Sequence, residues 1–358
     1  MEAHQTVSAS ELQIHVAGGT ARDDERLRGR FGDGSDWQGL PGDALRRAGL
    51  SPGLVDRLVQ LADGREQDRE RTRCQKEGVR LVSWRAEDYP AALRTLHRPP
   101  VLLTVRGRWP LPDPALAVVG ARAATPSGRV AARRLAGAAS AAGVGVVSGL
   151  ARGIDRHALE AALDGGGHVV AVLGNGMHIA HPRENRSLQD RIARQGTLVS
   201  EFPLDQRPTR WTFPKRNRII AALSQATLVV EAGRRSGALI TADHALELGR
   251  DVYAVPGAID SPQSEGSNRL LRDGAAPIVD EVSLLELLGA EDPREDGGRA
   301  RPADPVLAAL ARGTFTGDDL AEATGQAIAA VRSRLMALEL EGRVAGLPGD
   351  RWCARGGP

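Results

Sequence analysis

A series of short apolar runs sets the limits on what this chain can become. "ALAVVG", "GVGVVSG", "HVVAVLG", "GTLVSE", "ATLVVEA" and "DVYAVPG" each read as a strand with few polar residues, and helical stretches at 127–141, 155–163, 184–193, 216–223 and 236–248 separate them. A strand that is apolar at consecutive positions needs cover on both of its faces. Strands alternating with helices supply that cover from above and below a mostly parallel sheet. The expected fold is therefore α/β and Rossmann-like. Such sheets take ligands beyond the carboxyl ends of their strands, and here those ends carry nearly every distinctive residue of the chain.

The flanks differ from this core. Residues 1–30 are mixed and polar, with no periodicity to use, and "LPGDALRRAGLSPGLVDRLVQLADG" has short apolar-periodic pieces broken at Gly49, Pro52 and Gly64. We read residues 1–78 as a small helical module of the SAM or helix-hairpin-helix kind. "VRLVSW", "EDYPAALRTL" and "PPVLLTVRG" then lead into the sheet as strand, turn with short helix, and strand, giving an α/β domain over 79–288. The stretch 289–302 holds Gly, Pro and charge without an apolar face and reads as a linker. Three helical pieces and a wing turning at Pro348-Gly349 make 303–358 a winged-helix domain.

Composition excludes more than it selects. The 358 residues carry a formal net charge of +2, so a polyanion would have to be met by a local patch. Cys74 and Cys353 stand far apart outside any metal-spacing motif, and His178 and His181 lack a third ligand, so neither a disulfide scaffold nor a metal site is expected. No apolar h-region opens the chain and no 18-residue apolar stretch crosses a bilayer, which points to a cytoplasmic protein without a membrane partner. The G-x-G-x-x-G and G-x-x-x-x-G-K-[ST] patterns are absent, so no nucleotide cofactor is expected.

The strand ends are basic. The first opens into "VVGARAATPSG": Gly120 allows close backbone approach, Ser127 or Thr125 can cap the next helix, and Arg122 projects from the loop toward an anion held by the free helix N–H groups. The second, "SGLARGIDRHALEAAL", offers Arg152, with Asp155 as a cap and His157 beyond it. "WTFPKRNRII" puts Lys215, Arg216 and Arg218 within four positions, and no acid occurs from Gln206 through Ile220. If the helix starts at Arg216, these cations crowd a terminus whose dipole disfavours them, which points to a phosphate partner. Asn217 accompanies them, and Trp211 and Phe213 can stack bases, although Phe213 beside Pro214 fits a core equally well. Arg234 and Arg235 follow the next strand, where Glu231 can orient an arginine. No nucleophile–base pair is organised among them.

These patterns are similar, in order and spacing, to those of the DprA/Smf family, the DNA-processing protein A of bacterial natural transformation. The likeness rests on "AVVGAR", "VSGLARGID", "AVLGNG", "HPRENRSL", "LVSEFPL", "FPKRNRIIAALS", "VVEAGRRSGALITADHALELGRDVYAVPG" and "SEGSNRLLRDGA". It implies a non-enzymatic single-stranded DNA-binding protein that protects incoming strands and loads RecA onto DNA coated with single-strand binding protein, dimerising through the Rossmann-like domain. It also implies that Arg122 belongs to a phosphate pocket with Lys215, Arg216, Asn217 and Arg218. Two positions depart from the family pattern: Ala121 replaces a Ser or Thr, and Leu159 stands where a histidine is usual, with His157 two residues earlier. The winged helix carries Arg332 and Arg334 beside Glu339 and Glu341; weak duplex binding and protein association are both compatible with so mixed a face. The enzyme alternative is a nucleotide-processing phosphoribohydrolase on the same kind of sheet, but its P-G-G-x-G-T-x-x-E pattern is missing.

Overall fold

The computed structural model describes residues 7–32, 37–291, 304–310, 313, 315–340, 343–347 and 349–354. They divide into two units, 1–293 and 294–358. Most of the expected linker, and Pro348 and Glu341 of the winged helix, lie outside the described residues.

The first unit begins with five helices: α1 (Ala9–Ala17), α2 (Ala21–Phe31), α3 (Gly42–Arg46), α4 (Pro52–Gln60) and α5 (Arg65–Lys76). Two of them occupy the stretch in which the sequence offered no usable period. The cause is visible in α1, where Glu11, Gln13 and His15 are buried beside Leu12 and Ile14, so burial does not follow polarity. Glu11 returns to the backbone of Ser8 in a capping box and also accepts from the Ser83 hydroxyl. Burial holds the His15 imidazole far below its ordinary pKa, at about 3, and Lys215 adds to the effect. The helices pack around Trp37, Leu12, Ile14 and Leu58 and share that core with Leu102 of the sheet and Val101 just before it.

The sheet has β1 (Arg80–Ser83), then α6 (Ala91–Arg94), β2 (Leu102–Gly107), β3 (Ala115–Val119), α7 (Pro126–Ala141), β4 (Gly145–Ser148), α8 (Ile154–Asp164) and β5 (Val169–Leu173). It continues with α9 (Arg186–Gln195), β6 (Thr197–Ser200), α10 (Thr212–Ala222), β7 (Ala226–Val229), α11 (Gly237–Glu247), β8 (Asp251–Ala254), α12 (Glu265–Arg272), β9 (Ala276–Pro277) and α13 (Glu281–Leu288). The strand order is β1-β2-β6-β5-β4-β3-β7-β8-β9, antiparallel at β1, β2 and β6 and parallel from β6 to β9. Alternate residues face opposite cores. Leu116, Val118, Val146 and Ala171 pack with α7, α8 and α9, whereas Ala117, Val119, Val147 and Val172 pack with α10 and α11.

The chain reverses direction across the sheet at β3. From β3 it runs outward to β4, β5 and β6, then returns to place β7 on the other side of β3. The loops after β3 and β7 therefore leave in opposite senses and open a crevice between them, the usual ligand position in open α/β sheets.

The second unit holds α14 (Pro305–Leu310), β10 (Phe315–Thr316), α15 (Gly317–Thr324), α16 (Ile328–Leu340), β11 (Val344–Leu347) and β12 (Arg351–Ala354). Its three strands pair in the order β10-β12-β11 over a core of Val306, Leu310, Leu320, Val331 and Leu335. This is a winged helix. Arg332 pairs with Asp350 at 3.6 Å and Arg334 with Asp304. No described helix is long and apolar enough to cross a membrane.

Candidate functional site

The crevice at the β3–β7 switch is an open pocket of about 630 Å³. Its walls come from Gly120 to Arg122 after β3, from 233–238 after β7, from Arg210, and from Phe213, Pro214, Arg216 and Asn217 on α10. Asp155 reaches it from α8.

At its floor lies Arg216, 3% exposed. One Nη donates to the Val172 carbonyl, while Nε has no hydrogen-bond partner. No carboxylate among the described residues stands within ion-pairing distance of this guanidinium. Asp155 is near enough to favour its charge, but the Asp155 carboxylate is taken up by the N–H groups of Gly149 (3.1 Å) and Ala151 (3.4 Å). Burial pulls the Arg216 pKa down to about 10, with Arg122 adding repulsion, so the group stays cationic at neutral pH. Burial likewise raises that of Asp155, against the attraction of Arg216 and its two N–H donors. Gly149 makes the arrangement possible, because a Cβ there would collide with the guanidinium.

Around the rim stand Arg122, Arg210, Arg234 and Arg235, all exposed and none paired with a carboxylate among the described residues. Arg122 lies 5.4 Å from the Phe213 ring centroid and Arg210 4.7 Å from that of Trp211, which is 69% exposed. Phe213 is half-buried, and its other neighbour is the His181 ring at 5.3 Å. Asn217 lines the wall and donates to the Gly237 carbonyl at 3.1 Å, tying α10 to the start of α11. A buried cation beneath arginines without carboxylate partners, beside a flat aromatic ring, has the chemistry that an anion carrying a planar group would match.

Several expected roles change. The helix bearing the basic stretch starts at Thr212, not Arg216, so the three cations do not share its first turn. Lys215 and Arg218 do not line the pocket; both pair with the buried Glu201, at 3.2 Å and 2.6 Å, and Lys215 also lies over the Phe202 ring. Arg152 pairs with Glu184 outside the pocket. Gly120 serves packing, since a Cβ would meet Ile154 at 2.6 Å and the Glu231 carbonyl at 2.8 Å. Thr125, not the exposed Ser127, caps α7 by accepting from Gly128 N–H at 3.0 Å. Asp155 caps no helix; it holds the loop before its own.

Glu231 forms no ion pair with an arginine among the described residues. Its carboxylate accepts from the Thr125 N–H at 2.9 Å and from the Thr125 hydroxyl, so the start of α7 already holds a carboxylate of the protein's own. The departures from the family pattern are local. Leu159 is fully buried in the core between α7 and α8, and the His157 ring lies 3.7 Å from Glu160. Sequence reasoning missed Arg210 as a wall residue and Glu201 as the partner of two cations. Arg210 was legible as charge beside Trp211; Glu201 gave no local signal.

A family model for DNA recombination-mediator protein A matches residues 80–289, the sheet that carries this pocket. The chain belongs to that family. A model for the DprA winged helix domain matches 290–350. Protein Smf of Escherichia coli is 41% identical over 283 residues, 75% of this chain and 76% of its own length. DNA processing protein DprA of Streptococcus pneumoniae is 37% identical over 260 residues, 71% of this chain and 89% of its own. The X-ray structure of that protein superposes with a TM-score of 0.68, covering 80% of this chain and 99% of the other at 32% identity. DNA processing protein A of Helicobacter pylori, whose single-stranded DNA binding mode has been described structurally, gives a TM-score of 0.53 at 29% identity, covering 56% of this chain and 93% of the other.

Proposed function

We propose that this protein is a non-enzymatic recombination mediator whose crevice grips single-stranded DNA. The observation that carries the reading is Arg216: a buried guanidinium with no carboxylate in ion-pairing range among the described residues, opening into a pocket rimmed by unpaired arginines. A phosphodiester supplies the missing counter-charge, while the Phe213 and Trp211 rings offer faces for its bases. The family membership and the single-stranded DNA binding of the Helicobacter relative support the same ligand.

By family analogy we further assign it a cytoplasmic role in natural transformation and repair. It would protect incoming strands and load RecA on DNA coated with single-strand binding protein, acting as a homodimer through the Rossmann-like domain. For the winged helix, whose Arg332 and Arg334 pair with Asp350 and Asp304, weak duplex binding and protein association both stay open. Affinity should then depend steeply on salt and little on sequence. The test is a titration of fluorescent poly-dT and matched duplex across a salt series, alongside Arg122→Glu. Salt-sensitive binding to poly-dT that the variant loses supports the reading. Wild-type affinity in the variant overturns it, and hydrolysis of nucleoside monophosphates by the wild type would restore the enzyme alternative.

A further inference from the structure

The motif "SEGSNRLLRDGA" is left over once the pocket has been described, and α12 shows how its residues divide. Gly266 lets the helix start dock on the loop after β7: its N–H donates to the Ala232 carbonyl at 2.6 Å, and a Cβ would meet the Ala232 and Gly233 carbonyls at 2.7 and 2.8 Å. Asn268 clamps the Gly257 backbone with both atoms of its amide, at 3.1 and 3.0 Å. Gly266 thus fixes α12 against the loop that presents Arg234, while Asn268 holds the segment between β8 and α12. The motif's arginines point outward. Arg269 and Arg272, three apart on one face, line a second open groove together with Glu265 and Arg234. Arg234 thus belongs to both the pocket and this groove.

We propose that α12 is an exit track for the bound strand, a second phosphate-binding face that the backbone reaches past Arg234. The proposal rests on the single-strand reading above and says where the strand goes. Asp273 is the competitor: it accepts from Arg269 at 3.4 Å and from Arg272 at 3.0 and 2.8 Å. All three side chains are about half or more exposed, so those pairs are weakly held and a diester can replace the carboxylate at little cost. A strand too short to leave the pocket does not meet this face; a longer one does.

The experiment compares oligothymidylates of about four and about sixteen nucleotides, the range of single-strand site sizes on small binding folds, with the full chain, Arg269→Gln/Arg272→Gln and Asp273→Asn. The double variant should bind the short oligomer like wild type. With the long one, its slope of log affinity against log salt should fall by about 1.4, about 0.7 for each phosphate that is no longer neutralised. Asp273→Asn should tighten the long oligomer several-fold and leave the short one unchanged, an outcome that impaired folding cannot imitate. Unchanged slopes in the double variant overturn the track, as does an equal weakening at both lengths, which would mean that α12 acts through the pocket wall. If the wild type binds neither oligomer, the single-strand reading fails instead.

Discussion

Arg216, Lys215 and Arg218 lie within four positions and serve two separate purposes. On a helix starting at Thr212, Arg216 shares its face with Ile219 and Ile220, three and four residues on, and all three are buried. Lys215 and Arg218 are three apart on another face and converge on Glu201. That division was legible in the helical period once the start was set correctly. The helix starts four residues before Arg216 and takes Pro214 into its first turn, where a proline costs a helix no hydrogen bond. The partner was not legible, because Glu201 meets Lys215 and Arg218 only when the end of β6 is brought beside α10. Glu201 is buried and Arg218 nearly so, so removing the carboxylate leaves that cation uncompensated, whereas Lys215 can turn to solvent. Glu201→Ala should lose about 3–5 kcal/mol of unfolding free energy in urea denaturation, while Lys215→Ala should weaken poly-dT binding far less than Arg122→Ala. Equal weakening of binding in those two lysine and arginine variants would show that Lys215 touches the strand after all.

At the scale of elements, the alternation of apolar runs with helices was sufficient to read the parallel sheet and its two covered faces. The loops were harder, because their contacts are made across the switch point. The start of α7 looked like a vacant anion seat, but Glu231 from the far side of the crevice fills it and so joins the loops after β3 and β7. Its backbone carbonyl also accepts from the Ala121 N–H at 2.7 Å. We expect Glu231→Ala to cost about 1–2 kcal/mol through the lost hydrogen bonds from Thr125 and the lost negative charge at the helix start. It should also speed amide hydrogen exchange over 120–128 and weaken single-strand binding by releasing Arg122. Unaltered exchange in that loop would mean that Glu231 does not position it. The N-terminal helices escaped the period test for a related reason, since α1 buries Glu11, Gln13 and His15 by pairing or neutralising them.

For the molecule as a whole, the near-neutral balance of charge conceals a sharp local asymmetry. Many cations of the sheet domain are held by carboxylates, as Arg152 is by Glu184 and Arg134 by Glu281. Those around the switch point have no carboxylate partner among the described residues, above a buried guanidinium whose desolvation Asp155 offsets only in part, with no ion pair formed. Such a site carries an instability that a bound anion relieves. Binding and stability are then opposed in a single side chain, which a structural arginine would not produce. The decisive measurement is Arg216→Met, read in parallel by urea unfolding of the free protein and by poly-dT titration. The account predicts unfolding free energy equal to or above wild type together with a loss of single-strand affinity of tenfold or more, about 1.4 kcal/mol or greater. A destabilised variant that still binds poly-dT like wild type would contradict it and make Arg216 a brace for the Val172 strand end.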